Sequence, residues 1–578
     1  MSQKPAELGA MIQGDEVGRK VAYLWSTWNT QRREWIEEQK ELRNYLFATD
    51  TSDTTAGTTP WKNSTTLPKL TQIRDNLHSN YLSALFPNDD WLKWEAYSKE
   101  SADKMKQQAI EAYMANKTRQ EGFRSKVSEL LYDYIDYGNT FMAPTFEARF
   151  KDEAKTDPDF IGPKAVRIDP MSIVFNLTAT SFAETPKVIR SLKTIGELRE
   201  MALSEPDNGY LQDALRARDV IASAASNYGL EDNDTAQGIL IDGFGNLQEY
   251  YTSDSVEILE FWGDWHDSAT GTLHRNRVIT VMDRRSILRN DPIPQWMGNS
   301  PISHVGWRKR PNNLWAMGPL NNLVGMQYRI DHLENSKADA YDLSIHPPLK
   351  IIGEVEDFEW GPGCEVHLDE GGDVQEIARN VQWVLQSNNE IAQLEARMEQ
   401  YAGAPREAMG IRSPGEKTAF EVQSLENAAG RIFQEKITTF EIDGLEPLLN
   451  GMLETAVRNM ELSDVIRVMD TDLGVTAFRT ISKEDLTAKG KLRPIGARHF
   501  AAQAQLLQNL TGVFNSPIGQ MIAPHTSGQE MAKLVEDTLG LERFSLFAPN
   551  AAVFEQQETQ RQMNQAQENL AAEDEVDA

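Results

Sequence analysis

The residues best spaced for phosphate chemistry run from Gly410 to Thr418, as Gly410-Ile-Arg-Ser-Pro-Gly415-Glu416-Lys417-Thr418. A phosphate-binding loop reads G-x-x-x-x-G-K-[ST], with backbone amides cradling the phosphates and the lysine reaching the outer ones. Here Glu416 separates the glycine from Lys417. The lysine is shifted by one position, and a carboxylate stands where phosphate oxygens belong. Such a loop also follows a buried strand, whereas the periodicity before this one is helical up to Tyr401. Nucleotide hydrolysis is not expected.

Metal and nucleophile chemistry find less support. The nine His are scattered, with no H-E-x-x-H and no G-x-S-x-G elbow. Asp232-Asn-Asp234 and Asp470-Thr-Asp472 begin like calcium loops but lack the glycine and the later glutamate at the required spacing. Trp262-Gly-Asp-Trp265-His266 has the make-up of an aromatic binding platform, yet its place at a strand end favours core aromatics. With 87 Asp and Glu in the chain, acidic pairs occur everywhere and diagnose nothing. The expectation is a non-enzyme with no catalytic residue, metal or cofactor.

Basic residues gather twice. Arg406, Arg412 and Lys417 lie in the loop before the longest helical pattern, and Lys489, Lys491, Arg493 and Arg498 lie in one short segment. Either group suits phosphate contact, and either suits an ordinary solvated face.

The totals bound the class of protein. A chain of 578 residues has room for several compact regions, and 13 Trp, 15 Tyr and 21 Phe supply core material. No apolar run approaches the ~18 residues of a membrane-spanning helix. The first fifteen residues do not read as a secretory signal. Cys364 is the only cysteine, which excludes an intrachain disulfide and points to a reducing compartment. The net charge of −29 is opposite in sign to that of a protein that grips DNA. It suits plain solubility, and equally a surface that must stay close to DNA without binding it.

The elements that position these residues follow from periodicity. Apolar residues at three- and four-residue steps predict helices over 15–48, 69–86, 101–116 and 122–137. After Gly138, short β-branched and aromatic runs predict strands at Thr140, Ala165, Ile173, Gln248-Glu-Tyr-Tyr251, Val256 and Val278, with a helical insertion over 194–226. From Pro319 two long helices carry narrow apolar stripes: Leu320, Leu323, Met326, Ile330, Leu333 and Ala340, then Val384, Ile391, Leu394, Met398 and Tyr401. The strand-like Leu349-Lys-Ile-Ile lies between them. A further helix opens with a capping box at Thr418-Ala-Phe-Glu421 and runs toward Met460, with a kink expected near Gly444 and Pro447. A thin stripe on a charged helix suits a ring of like helices, and it equally suits a hairpin within one subunit.

The order of these pieces resembles the portal (head-to-tail connector) family of tailed bacteriophages, especially those of short-tailed phages. The likeness rests on Pro60-Trp-Lys-Asn-Ser, on Tyr81-Leu-Ser-Ala-Leu-Phe-Pro87, and on Tyr137-Gly-Asn-Thr-Phe ahead of the strands. It rests also on Arg167-Ile-Asp-Pro170 followed by Ile173-Val-Phe, on Trp315-Ala-Met-Gly-Pro-Leu320, and on Lys417-Thr-Ala-Phe-Glu421. It spans roughly residues 10 to 560, and its specificity lies in the order rather than in any one motif.

The resemblance implies a mainly helical α+β portal fold. Residues 1–310 correspond to the wing, 311–344 to a first stem helix, 345–380 to the clip and 381–402 to a second stem helix. Residues 403–417 correspond to a tunnel loop, 418–500 to the long wing helix and return strands, and 501–578 to a helical crown with an acidic tail. It implies a homo-oligomeric ring, usually a dodecamer, at one capsid vertex of the virion, assembled in the host cytoplasm. Double-stranded DNA would pass through without sequence specificity. Terminase, tail or adaptor proteins, capsid and scaffolding proteins would be partners, and no membrane.

On this reading Arg406, Arg412 and Lys417 would face the DNA channel. The acidic clip residues Glu354, Glu356, Asp357 and Glu359 would dock a basic partner surface. Another head–tail adaptor or tail ring protein, and a DNA-processing ATPase, remain as alternatives.

Overall fold

The computed structural model describes residues 15–47, 65–86, 91–97, 104–151, 158–228, 247–267, 270–294, 300–345, 349–353, 372–377, 382–402, 432–460, 463–470, 475–487 and 489–494. The fold class is α+β: 55% of these residues are helical and 29% lie in strands, which form six small sheets. The chain builds two compact units, one from residues 1–82 and 120–459, the other from 83–119 and 460–578.

The pattern expected to make one helix over 15–48 makes two, α1 (Glu16–Gln31) and α2 (Arg33–Phe47). The break falls at Arg32, which is only 3% exposed. Its guanidinium donates to the carbonyl oxygens of Pro170, Met171 and Ile173, and burial lowers its pKa to about 9. Satisfying those buried carbonyls outweighs continuing the helix. Helix α3 (Lys69–Leu85) follows as expected, with Leu70, Ile73, Leu77 and Tyr81 buried on one face.

Strand β1 (Leu92–Ala96) and most of α4 (Lys104–Glu121) belong to the second unit. Helix α4 runs five residues past its expected end and stops at Gly122, whose φ of +78° favours glycine. Helix α5 (Phe123–Asp136) then leads into β2 (Asn139–Phe150) and β3 (Pro158–Ile168). Next come β4 (Ile173–Phe175) and β5 (Lys187–Thr194), then helices α6 (Ile195–Ser204), α7 (Gly209–Tyr228) and α8 (Leu247–Thr252). Strands β6 (Ser255–His266), β7 (Leu273–Met282) and β8 (Ser286–Pro292) complete an antiparallel meander in the order β4-β5-β6-β7-β8.

Both faces of that sheet are covered, as the period-two alternation requires. Leu259, Phe261 and Trp265 of β6 face Val21 and Trp25 of α1, whereas Val256 and Ile258 face Leu198, Leu211 and Ala214 of α6 and α7. Trp265 is therefore a core residue and not part of an open aromatic platform. One strand expectation is corrected: Gln248-Glu-Tyr-Tyr251 lies in α8. Tyr250 and Tyr251 are both buried. Tyr250 Oη accepts from Glu257 N and donates to Asp283, and these tertiary bonds override a weak β preference.

A second sheet, ordered β3-β2-β9, uses β9 (Ser303–Gly306) beside the hairpin of β10 (Arg308–Arg310) and β11 (Asn313–Met317). Then come α9 (Val324–Ile345), β12 (Leu349–Ile352), β13 (Asp373–Glu376) and α10 (Gln382–Ala402). Residues 432–440 are helical and pass through a π-turn, Glu441–Leu445, into α11 (Glu446–Asn459). The π-turn falls where a kink is expected, near Gly444 and Pro447. Pro447 has no N–H to donate, and a side chain at Gly444 would meet Val305 Cγ2 at 2.7 Å.

In the second unit, β14 (Ser463–Asp470) pairs with β15 (Val475–Ser482), which leads through α12 (Lys483–Leu486) to β16 (Gly490–Pro494). Strand β16 pairs with β1, and Arg493 ion-pairs with Glu95 at 3.1 Å. Part of the second basic cluster thus lies on a paired strand.

Candidate functional site: a rooted helical hairpin with a β-ribbon

Helices α9 and α10 pack against each other in an antiparallel hairpin, and the chain between them includes a two-stranded ribbon. The ribbon register is Leu349↔Glu376, Lys350↔Gln375, Ile351↔Val374 and Ile352↔Asp373. Arg329 Nη2 meets Glu390 Oε1 at 3.2 Å, and Lys337 Nζ meets Asn388 Oδ1 at 3.3 Å. Both contacts lie on exposed surface, so they fix register more than they stabilise.

The root of the hairpin is built differently. Leu320, Leu323 and Ile330 at one side, and Met398 and Ala402 at the other, are fully buried. Beside them Gln327, Asp331 and Asn335, spaced four residues apart on α9, form a buried polar ladder. The ladder holds the extended segment before α3 by its backbone. Leu70 N donates to Gln327 Oε1 at 3.3 Å, Leu67 N to Asp331 Oδ1 at 3.0 Å and Thr65 N to Asn335 Oδ1 at 2.7 Å. Gln327 Nε2 and Asn335 Nδ2 donate back to the carbonyls of Leu67 and Thr65. Burial raises the pKa of Asp331 to about 6, against the pull of the Leu67 and Gln327 donors. Lys69 and Glu399, both buried, close an ion pair at 2.6 Å between α3 and α10.

Farther from the root the described side chains of α9 are half-buried or exposed. Among the described side chains of α9 beyond Asn335 none is buried, and Tyr341 is 41% exposed. Tyr401, expected in the apolar stripe of α10, is 60% exposed, so that stripe is narrower than its spacing implied. The ribbon exposes Ile351 and Ile352, and its described charges are Lys350, Asp373 and Glu376. Isolated two-stranded ribbons are marginal in water.

The tunnel-loop residues Arg406, Arg412 and Lys417 lie outside the described residues, as do the clip residues Glu354, Glu356, Asp357 and Glu359. The same holds for the phosphate-loop-like stretch, the Thr418 capping box, Arg498 and residues 501–578. What the structure does bring together was only partly visible beforehand. The four-residue spacing of Gln327, Asp331 and Asn335 was a legible signal, whereas nothing local links Lys69 to Glu399.

A third basic run was also overlooked, Arg308-Lys309-Arg310 on β10, where all three residues are exposed. It borders an open groove of about 460 Å³ lined by Trp307, Lys436, Thr439, Ile442 and Asp443 among others. Lys309 pairs with Asp443 at 2.7 Å, and Arg308 and Lys436 flank the Trp307 ring at 5.1 and 5.0 Å. Most of its positive charge is thus already engaged. No cluster of metal-ligating side chains occurs among the described residues, and no helix among them is long and apolar enough to cross a membrane. No protein-family model matches the chain, and no curated protein matches it.

Proposed function

We propose that the chain is the subunit of a tailed-phage portal ring, a non-enzymatic conduit for genome packaging and ejection. In this reading it sits at one capsid vertex of the virion and docks the terminase and the tail or adaptor proteins. The observation that carries the reading is the α9–β12–β13–α10 hairpin, firmly rooted and with described α9 flanks beyond Asn335 that are half-buried or exposed. Copies standing side by side would cover those flanks, as a closed ring of heterologous contacts does. The net charge of −29 per subunit supports the same reading, because a negatively charged channel lets DNA slide without adhering.

Electron microscopy of the purified full-length protein tests this, with class averages counted for rotational symmetry. Rings of about twelve subunits with a central hole are expected. A protein that stays monomeric at high concentration and in high salt, with its hairpin intact by hydrogen exchange, would overturn the reading.

A further inference from the structure

Asp331 is the one ionisable rung of the α9 ladder, and it is 1% exposed. Its two carboxylate oxygens are placed unequally. Oδ1 accepts from Leu67 N at 3.0 Å and from Gln327 Nε2 at 2.8 Å. Oδ2 is buried without a hydrogen-bond partner among the described residues. A neutral carboxyl tolerates such a place far better than a carboxylate does, because an unmatched buried charge costs more than an unmatched polar atom.

The charges on the elements packed around it are paired elsewhere or exposed. Lys69 of α3 and Glu399 of α10 meet each other at 2.6 Å. On α9 itself Lys337 pairs with Glu334 at 2.6 Å and Arg329 with Glu390 of α10 at 3.2 Å, and His332 is exposed. The charged side chains of α2, which also touches α9, are all exposed. Thr65, Thr66, Leu67 and Pro68 of the held segment carry no charge. Burial is accordingly the leading cause of the raised pKa of Asp331, and only the Leu67 and Gln327 donors oppose it.

The segment that the ladder holds has little else to keep it down. Thr65 and Pro68 are exposed, and Thr66 and Leu67 are half-buried. Helix α3, which follows at once, is anchored separately by Leu70, Ile73, Leu77 and Tyr81 in the core. Segments that bury so little apolar surface open at lower free energy than the elements beside them.

We propose that Asp331 is a proton-operated latch: protonated, it keeps residues 65–68 on α9, and ionised, it lets them lift away while α3 stays in place. The device does not rest on the portal reading and stands or falls separately from it.

The pH window follows from the folded pKa of about 6 against the ordinary 3.8 that Asp331 regains when the segment lifts. Opening is least favoured below pH 3.8, becomes easier from 3.8 to 6, and changes no further above that.

Hydrogen exchange of the full-length protein, read on peptides covering residues 65–70 and corrected for the intrinsic rate, tests this. Opening should become roughly twentyfold more favourable between pH 4.5 and 7. Peptides from residues 73–85 of α3 should not follow it. Asp331→Asn, which keeps an acceptor for Leu67 and carries no charge, should flatten the profile. Asn335→Leu should speed exchange at every pH and keep the slope, as a purely structural loss does. A flat profile in the parent protein overturns the proposal without recourse to any variant, and so does a slope that survives in Asp331→Asn. An equal slope in residues 73–85 also overturns it, because the whole region then opens and not the latch alone.

Discussion

At the residue scale, two buried cations show how single side chains govern this molecule. Arg32 ends one helix, begins the next and satisfies three backbone carbonyls, while its guanidinium lies within 5.4 Å of the Trp315 ring centroid. Arg32→Ala leaves those carbonyls buried and unpaired, an expected loss of about 3 kcal/mol. It reads out as a lowered first midpoint in urea, and a change below ~1 kcal/mol contradicts the assignment.

Lys187 is the second case. It is fully buried and, among the described residues, donates to the carbonyls of Phe182 and Ala183, and burial lowers its pKa to about 7. The other ionisable group nearby, His304, is pushed down to about 3 by burial and by the charges of Lys309 and Lys187. The unfolded chain therefore holds the Lys187 proton more tightly than the folded one between pH 7 and 10.5. Stability from this residue should rise with pH across that window, and the cost is fully present below it. Lys187→Met should flatten that slope in denaturation midpoints taken from pH 7 to 10, and an unchanged slope refutes the account.

At the scale of elements, the ladder on α9 is the joint that roots the hairpin. Asn335→Leu strips both backbone bonds from Thr65 and should cost roughly 2 kcal/mol. Limited proteolysis should then cut near residues 65–67 sooner than in the parent, and equal protection argues against the joint. Asp331 makes a pH-dependent contribution of opposite sign to that of Lys187. Its folded pKa of about 6 lies above the ordinary value of 3.8, so folding favours the protonated form. Stability falls as pH rises from 3.8 to 6, and the cost stays in place above that. Asp331→Asn should remove this slope while keeping an acceptor for Leu67. An identical pH profile in that variant removes Asp331 from the account.

For the whole molecule, charge and shape pull in different directions. Copies carrying −29 each repel one another, while the exposed aromatic side chains of α9 favour neighbours. Raising salt from about 0.05 to 0.5 M shortens the Debye length and should shift the protein toward rings, as measured by mass photometry. Replacing Tyr328 and Tyr341, 46% and 41% exposed on α9, with Asp should block that shift without changing the far-ultraviolet circular dichroism. Assembly unaffected by the double replacement would move the interface elsewhere.

The sequence by itself determined the class of the fold and most elements with a strong period: α3, α5, three of the five meander strands (β4, β6 and β7), the helical insertion and the two long helices α9 and α10. Their apolar spacing is a local property, and burial follows from it whatever the partner. It also pointed to an irregularity of the helix near Gly444 and to Trp265 as core. The tertiary structure alone decided the break at Arg32, the helical state of Tyr250 and Tyr251, the Lys69–Glu399 pair and the ion-paired turn at Asp283–Arg284. Each depends on hydrogen bonds or charges between segments far apart in the chain. A buried polar group finds its partner wherever packing places one, and no local spacing announces that partner.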